Sequence, residues 1–415
     1  MSPTGKSVIV VGAGLAGLAC ANRLHRAGAR PLILEGSDAV GGRVRTDAVG
    51  GFLLDRGFQV FLDAYPEAGS LLDKASLDLR PFKPGALVFD GAGMQRVMDV
   101  FREPTHLVSS ALAPIGSVAD KLRVLMLKWR LNRCSIDEIA QHEDLTTEQY
   151  LQREGFSARM IDGFFRSFYG GIFLERDLRT SSRMFEFTFK MFSQGSATLP
   201  AKGMGEITRQ LAGRLPPEAL RLGARVAAAR PDGVTLESGE RLTADIVVVA
   251  TDASAAARLV PSLDASPTAW RSVTCLYFAA DQSPLGEAII ALNGSGTGCV
   301  NNVCVPSDVA SGYAPAGQAL ISVSVLGLPE PVELTHRVIA ELEAWFGKAV
   351  RGWRHLRTEP IERALPEQSP HVGMKGAGFR QQDGIYVCGD HQWSASIEGA
   401  IISGLRTAEA ILSLP

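Results

Sequence analysis

The chain has 415 residues, of which 46% are hydrophobic, so it can bury a large core shared between two domains. Its 42 basic and 44 acidic residues give a net charge of −2, which argues against a nucleic-acid partner. Seven scattered histidines predict no metal site, and six cysteines without a Cys-x-x-Cys pair predict reduced thiols in a cytoplasmic protein. The N-terminal apolar run is too short for a signal peptide, and no uncharged stretch approaches the ~20 residues of a membrane-spanning helix.

The N-terminal segment predicts a strand, a glycine-rich turn and a helix. Residues 8–11 form an apolar run typical of a buried parallel strand, and the apolar spacing from Leu15 onwards predicts a helix. The turn between them reads Gly-x-Gly-x-x-Gly, at Gly12, Gly14 and Gly17. The first glycine makes the tight turn, the second lets a pyrophosphate approach the backbone, and the third lets the helix pack close to the strand. The free N–H groups of the helix N-terminus would face the phosphates.

A second short strand is predicted over 31–34 and ends at Glu35. A carboxylate about twenty residues after the glycine motif can accept hydrogen bonds from the ribose hydroxyls of an adenosine. The alternative is a structural turn with no ligand. Because the motif lies within a strand–turn–helix–strand unit, we favour a dinucleotide site.

The loop after this strand contains Gly41, Gly42 and Arg43. NAD does not need a second glycine pair before an arginine. The pattern resembles the glutathione-reductase-type FAD fold in its amine-oxidase branch, which includes flavin amine oxidases, protoporphyrinogen oxidases and carotenoid desaturases or isomerases. The resemblance implies that the glycine pair passes close to FAD and that Arg43 neutralises pyrophosphate charge. Ser37 and Ala39 stand where the family often carries arginines at the adenosine end.

The C-terminal segment carries a second motif of the same family. An apolar strand is predicted over 385–388, followed by Gly389, Asp390, a loop and a helix from about Ser396. In the family, this Gly-Asp pair lies along the FAD pyrophosphate and ribityl chain. The helix N-terminus there points at the flavin N1–C2=O edge, where reduced flavin carries negative charge. By resemblance, the backbone of Ser396 and Ile397 takes this role.

The resemblance implies further contacts with FAD. It places a backbone turn at Gly57 and Phe58 beside the flavin, and backbone near Val226 against the adenine. The complete set of residues predicted to bind FAD is Gly12, Gly14, Leu15, Ala16, Gly17, Glu35, Gly36, Gly41, Gly42, Arg43, Gly57, Phe58, Val226, Thr251, Gly389, Asp390, Ser396 and Ile397.

The implied fold class is α/β, with a Rossmann-type FAD-binding domain of the glutathione-reductase type and a second substrate domain of mixed sheet and helices. The predicted FAD-binding domain is discontinuous and takes residues 1–75, 197–255 and 360–415. The substrate domain takes 76–196 and 256–359, with a helical insertion at about 105–195 and a sheet at about 270–326. Within these regions we predict a hairpin over 85–97, helices over 117–133, 145–154 and 157–169, and a strand over 220–228.

The electron acceptor is predicted to be oxygen or a quinone. A second strand–glycine-motif–helix unit for NAD(P)H is absent from the sequence, and the glycines at 294–298 are interpreted as a hairpin loop. The amine-oxidase subgroup usually carries a lysine on a substrate-domain strand. The matching strand over 272–278 has none, and no lysine occurs from 251 to 347. Ordinary amine oxidation is therefore the less favoured activity.

We predict an FAD-dependent oxidoreductase that takes a hydride equivalent from an apolar organic substrate, similar to protoporphyrinogen oxidases and carotene desaturases. The Phe- and Met-rich segments 166–173 and 183–195 would line an apolar cavity or form plain helical core. Alternatives are an amine oxidase producing hydrogen peroxide, a redox-neutral FAD-dependent isomerase and a flavin-binding protein without turnover. The helix over 118–133 is interpreted as a lid with a basic outer face or as a peripheral membrane contact. We assign no catalytic residue.

Overall fold

A computed structural model describes residues 5–99, 102, 116–263, 269–372, 374 and 379–414, so the start of the predicted helical insertion, 105–115, lies outside the described residues. The first layer of the fold is a six-stranded sheet, in which all strands are parallel except the last. Its strands, in spatial order, are Leu220–Arg221, Arg30–Leu34, Ser7–Val11, Ile246–Val249, Ile385–Val387 and Arg380–Gln382. Only one strand separates the N-terminal strand from Ile385–Val387. Both glycine motifs therefore lie at the edge of the sheet that is formed by the carboxyl ends of its parallel strands.

Two helices from opposite ends of the chain pack together on this sheet. Helix Leu15–Arg26 follows the first glycine motif, and helix Ile397–Leu412 follows the second. A methyl group at Gly404 would lie 2.2 Å from the Ala16 carbonyl oxygen, closer than any real contact. Glycine therefore permits the approach that brings the two helix N-termini to the same edge of the sheet.

The predicted single strand over 220–228 is wrong, because the chain forms two strands there. Leu220–Arg221 ends the six-stranded sheet, and Val226–Arg230 begins a separate antiparallel sheet with Gly233–Leu236 and Arg241–Thr243. The turn between the two strands contains Gly223 at a φ of +66°. A residue in this left-handed conformation breaks an extended run.

A seven-stranded sheet forms the second layer. Its strands, in spatial order, are Arg354–Pro366, Trp270–Ala280, Ala319–Leu326, Val300–Cys304, Ile290–Asn293, Gly85–Phe89 and Met94–Met98. The last two form the predicted hairpin. Helix Leu334–Phe346 covers one face of the sheet, where its buried side chains pack against residues such as Phe278 and Val323. The opposite face remains available to line a cavity.

Strand Arg354–Pro366 was not predicted from the sequence. It pairs with Trp270–Ala280 at the edge of the seven-stranded sheet. Its many charged residues and two prolines conceal the strand pattern, but an edge strand tolerates both, since one side makes no ladder. The strand runs across residue 360, where we placed a domain boundary from the sequence. The division into two domains stays a prediction.

A layer of helices spans 118–194 and contains the three predicted helices. The third begins at Ala158 and continues through a π-helical turn, Ile161–Phe165, to Phe173. None of the helices in the described parts of the chain combines the length and apolarity needed to cross a bilayer. The helices of this layer are Val118–Arg133, Ile136–Ile139, Thr147–Arg153, Ala158–Met160, Arg166–Phe173 and Ser182–Gln194.

Short elements connect the three layers. The strands among them are Thr46–Val49, Phe52–Asp55, Phe61–Leu62, Leu79–Pro81 and Ala197–Pro200. The helices are Pro66–Leu71, Lys74–Leu77, Gly205–Ala212, Ala253–Leu259 and Pro306–Val309, with single 3-10 turns at Pro217–Ala219, Ser311–Tyr313, Lys348–Gly352 and Asp390–Gln392.

A buried aspartate, Asp55, joins these connecting elements to the seven-stranded sheet. Asp55 accepts hydrogen bonds from the Thr46 hydroxyl, from the Met204 amide at 3.0 Å and from the Tyr313 hydroxyl at 2.8 Å. The Tyr277 hydroxyl donates to the main-chain oxygen of Asp55. Burial raises the pKa of Asp55 to about 6, despite these hydrogen bonds.

The substitution Asp55→Asn should weaken the dependence of stability on pH. Because the pKa of Asp55 is higher in the folded chain, its contribution to stability is fully present below pH ~4 and is lost as the pH rises through ~6. In the variant, the fall in unfolding free energy over this range should be smaller by up to roughly 3 kcal/mol. Urea unfolding at several pH values measures it. Tyr313→Phe, which keeps the carboxyl group, should retain the dependence, and an unchanged pH slope in Asp55→Asn would contradict the assignment.

Candidate functional site

One cavity of about 1820 Å³ runs from the edge of the six-stranded sheet to the helical layer. Every residue predicted to bind FAD lines it except Gly17. A methyl group at Gly17 would lie 2.0 Å from the Gly12 carbonyl oxygen, so this glycine packs the helix against the turn. The structure thus brings the N-terminal, central and C-terminal motifs to one site. Their binding of FAD stays a prediction.

The two N-terminal glycine segments touch each other through their backbones. The Gly41 amide donates to the Ala13 carbonyl oxygen at 2.9 Å, and a methyl group at Gly42 would lie 3.8 Å from the Gly14 Cα. A methyl group at Gly14 would meet no atom of the protein within 4 Å. Because Gly14 also lines the cavity, its bare backbone leaves space that fits a pyrophosphate.

The carboxylate of Glu35 is held at the end of its strand. It accepts hydrogen bonds from the Ala13 amide at 2.8 Å and from the Ser37 amide and hydroxyl at 2.9 and 2.8 Å. These bonds orient it at the cavity wall, where we predict that it meets the adenosine ribose.

Arg225 is a cavity residue that the sequence did not single out. A methyl group at Gly36 would lie 3.4 Å from the Arg225 Cζ, and the Arg225 Nε lies 3.8 Å from a carboxylate oxygen of Glu237. Arg225 therefore places a cation near Glu35, at the predicted adenosine end where Ser37 and Ala39 lack one. Its position next to Val226, which the resemblance placed against the adenine, was the signal that could have found it.

Arg43 and Asp390, predicted as separate cofactor contacts, form an ion pair. Their Nη2 and Oδ1 atoms lie 2.7 Å apart, and Arg43 also donates to the Ala364 carbonyl oxygen at 3.1 Å. Burial raises the pKa of Asp390, but the Arg43 guanidinium outweighs it and holds that pKa below its ordinary value. The ion pair joins the N- and C-terminal motifs and leaves Arg43 less positive charge for a pyrophosphate than we expected.

The N-terminus of helix Ile397–Leu412 faces the cavity. Ser396 caps it, as predicted, because its hydroxyl accepts from the Gly399 amide at 2.9 Å. Ser396 and Ile397 both line the cavity. Glu398 points elsewhere: its buried carboxylate accepts from the Glu67 and Ala68 amides at 2.8 and 2.9 Å, and burial raises its pKa to about 7. This contact anchors the helix to helix Pro66–Leu71.

Aromatic and aliphatic side chains line the other half of the cavity. Both interpretations of the Phe- and Met-rich segments hold, because one face of helix Ser182–Gln194 lines the cavity while Phe185 and Phe187 lie in the core. Glu186 is turned away, with its carboxylate bonded to His142 and Tyr150 at 2.7 Å each. The lining residues of these segments include Phe168, Tyr169, Ile172, Phe173, Met184, Thr188, Phe189 and Phe192.

The features expected of an amine site do not come together here. Strand Trp270–Ala280 contributes Val273 to the lining and contains no lysine. Trp393, an aromatic residue three positions after Asp390, does not line the cavity. Instead it packs against Arg406, whose Cζ lies 4.0 Å from the centre of its ring. Its role is packing.

The profile of the flavin-containing amine oxidoreductases matches residues 15–412. Protoporphyrinogen oxidase 2 of Arabidopsis thaliana is 28% identical over 40% of this chain and 32% of its own length. The 15-cis-phytoene desaturase of Narcissus pseudonarcissus is 29% identical over 39% of this chain and 30% of its own. The chain thus spans about a third of these relatives. A redesigned putrescine oxidase superposes with a TM-score of 0.76 at 17% identity, over 99% of both chains, which confirms the predicted fold class.

The substitution Gly14→Ala should separate cofactor binding from folding. The backbone at Gly14 has a φ of −76°, which alanine adopts, and the added methyl group would meet only cavity space. The apoprotein should therefore unfold at an unchanged temperature, while the dissociation constant of FAD rises by about tenfold or more. Flavin fluorescence during titration of the apoprotein measures the constant. Gly352→Ala, at an equally open glycine outside the cavity lining, is the matched control, and wild-type affinity in Gly14→Ala would contradict the assignment.

Proposed function

The chain belongs to the flavin-containing amine oxidoreductase family and is an FAD-dependent oxidoreductase, and we propose that it takes a hydride equivalent from an apolar organic substrate. When bound, FAD would accept that hydride equivalent. The supporting observation is the continuous cavity, which runs from the glycine motifs to a wall of aromatic side chains.

The residues of the glycine-rich half fit FAD. Gly14 and Gly42 leave backbone-lined space for a pyrophosphate, Glu35 is oriented for a ribose, and the N-terminus of the C-terminal helix presents positive partial charge. We propose that all the predicted cofactor residues in the cavity lining take part. Gly17 acts indirectly, by keeping its helix close to the turn.

The substrate half is suited to binding and orienting an apolar molecule and to excluding water. Phe164, Phe168 and Phe192 lie side by side in its wall, with centroids of neighbouring rings 5.3 to 5.4 Å apart. Glu186, a buried acid of helix Ser182–Gln194, is engaged elsewhere. This favours a desaturase, dehydrogenase or oxidase similar to protoporphyrinogen oxidases and carotene desaturases, in which hydride removal needs no strong protein base.

An amine oxidase that produces hydrogen peroxide is the second candidate. The similarity of the fold to that of a putrescine oxidase supports this candidate. The absence of a lysine on Trp270–Ala280 and the packing of Trp393 against Arg406 argue against it. No specific observation favours a redox-neutral isomerase.

We propose oxygen or a quinone as the electron acceptor. Residues 294–298, the other glycine-rich stretch, connect the antiparallel strands Ile290–Asn293 and Val300–Cys304 as a hairpin loop. A following helix, which a nicotinamide-binding motif would need, is not present there.

Anaerobic titration of the FAD-loaded enzyme with tetrapyrroles, polyenes and amines should identify the class of reductant. A tetrapyrrole or polyene should bleach the oxidised flavin band, because such molecules match the apolar wall. Ile172→Trp, which narrows this half of the cavity, should slow bleaching, whereas Val332→Trp at an exposed site should not. Re-oxidation by air or by a quinone then identifies the acceptor.

Each other result of this titration has a clear meaning. Bleaching by amines, with peroxide release in air, would establish the amine oxidase instead. Turnover only after chemical reduction of the flavin, without net electron transfer, would establish an isomerase. A flavin that no compound bleaches would contradict the proposal.

We also propose that this is a cytoplasmic enzyme that contacts an anionic membrane through helix Val118–Arg133. Val118, Leu122, Met126 and Trp129 follow one face of the helix and are 56 to 69% exposed. Arg123 and Arg133 lie close to this apolar stripe on the same helix.

The same helix also lines the cavity. Val118 and Leu122 belong both to the apolar stripe and to the cavity lining. A membrane-dissolved substrate would therefore meet the helix at the entrance to the site. The six free cysteines are consistent with a reducing compartment.

The double substitution Met126→Glu, Trp129→Glu should reduce binding to vesicles of phosphatidylglycerol and phosphatidylcholine by about tenfold or more, because it places charge on the apolar stripe. Co-sedimentation measures the bound fraction. Neither residue lines the cavity, so activity on dispersed substrate should persist. Val332→Glu is the control, since Val332 is 78% exposed and lies outside this helix. Equal binding by the wild type and the double variant would contradict a membrane contact here.

A further inference from the structure

Two buried polar side chains interrupt the apolar wall of the substrate half. Asn302 and Ser324 line the cavity and are only 2% and 5% exposed. They lie opposite each other on neighbouring strands of the seven-stranded sheet, Val300–Cys304 and Ala319–Leu326. Paired residues of a ladder project from the same face, so both side chains occupy the cavity face.

The groups around this pair are mainly apolar or very small. Leu292 pairs with Asn302 on the far side, and Val273 lines the cavity from the strand next to Ser324. A methyl group at Gly171 would lie 2.9 Å from the Asn301 Nδ2 and 3.3 Å from the Asn302 Oδ1, so glycine makes room for both amides. Within the described residues, neither side chain of the pair bonds to a charged group.

The pair retains unused hydrogen-bond donors. The Asn302 Oδ1 accepts from the Asn301 Nδ2 at 3.0 Å, and the Asn302 Nδ2 donates to the Ser324 Oγ at 3.4 Å. Among the described residues, nothing accepts from the Ser324 hydroxyl or from the second N–H of the Asn302 amide. A donor left unpaired inside an apolar wall is destabilising, so these two groups call for an acceptor in the cavity.

Another hydroxyl of the cavity wall shows the contrast. Thr188 is as deeply buried, but its hydroxyl lies 2.8 Å from the Met184 carbonyl oxygen and 3.0 Å from that of Phe185, both in its own helix. Thr188 therefore needs no ligand. The difference lies in what the fold provides around each group, since both residues are small and polar.

We propose that Asn302 and Ser324 bind a neutral oxygen atom, such as a hydroxyl, carbonyl or ether oxygen, of the otherwise apolar substrate. The proposal rests on the proposed function of this cavity as the substrate site. A neutral oxygen fits because the pair offers two uncharged donors and no cation. A pure hydrocarbon would leave both donors unpaired.

The strand order also sets the distance between this pair and the edge strand Arg354–Pro366. A methyl group at Gly57 would lie 2.7 Å from the Ile361 Cδ1, so the turn predicted beside the flavin contacts the edge strand Arg354–Pro366. Ser324 lies two strands from this edge and Asn302 three. At about 4.8 Å per strand, the bound oxygen would lie at least roughly 10 to 14 Å from that strand, measured across the sheet. The substrate class is therefore an elongated apolar molecule with its oxygen at a distance from the bond that is oxidised.

A binding experiment without turnover tests this proposal. The probes are 1-dodecanol and n-dodecane, an alcohol and an alkane of equal chain length, in equilibrium dialysis against the FAD-loaded enzyme. The wild type should bind the alcohol about tenfold more tightly than the alkane, because only the alcohol pairs the buried donors. Ser324→Ala and Asn302→Leu, singly and together, should reduce this preference towards parity. Thr188→Val, at the satisfied hydroxyl, should retain it.

The preference of each variant is a ratio of two affinities for one protein, so partial loss of folded protein does not affect it. Flavin absorbance and thermal unfolding identify any variant that does not fold, and Ser324→Ala is the smallest change. No preference for the alcohol in the wild type, or an undiminished preference in the double variant, would overturn the proposal. A preference that depends on this pair, in an enzyme whose flavin no compound bleaches, would instead contradict only the proposed function.

Discussion

The site depends on a contact between two stretches of bare backbone. The bond from the Gly41 amide to the Ala13 carbonyl oxygen holds the second glycine loop against the first turn, where Gly14 and Gly42 lie side by side. A side chain at Gly14 would fill the open space that we propose for a pyrophosphate. With the loop in this place, Arg43 reaches Asp390 and joins the two ends of the chain. The glycine-rich half of the cavity is therefore held together by close backbone approach and by this ion pair.

The substrate half follows a different principle, since side chains fill its walls. Helix Leu334–Phe346 covers one face of the seven-stranded sheet, so the other face can line the cavity opposite the aromatic residues of the helical layer. Asp55 joins the connecting elements to the seven-stranded sheet, because its carboxylate bonds Thr46, Met204 and Tyr313 and its main-chain oxygen bonds Tyr277.

The proposals together describe an orientation for the substrate. An apolar molecule would enter beside helix Val118–Arg133, lie against the aromatic wall and place its oxygen on Asn302 and Ser324. Its remaining length would extend along the sheet towards the turn at Gly57. Each step uses a different property of the wall: exposed apolar surface at the entrance, aromatic packing in the middle and two uncharged donors on the sheet.

The sequence by itself determined the features that depend on local backbone conformation and side-chain periodicity. These are the strand–turn–helix unit around Gly12, the cap at Ser396 and the hairpin over 85–97, and with them the family, the cofactor and most of the glycine-rich half of the cavity. Tertiary structure alone decided the rest. Arg43 and Asp390 are 347 positions apart, Arg354–Pro366 is a strand only because of its neighbour, and the pairing of Asn302 with Ser324 depends on the register of two strands. Contacts between distant segments are decided when packing selects one arrangement of the strands, and no local pattern of residues carries that information.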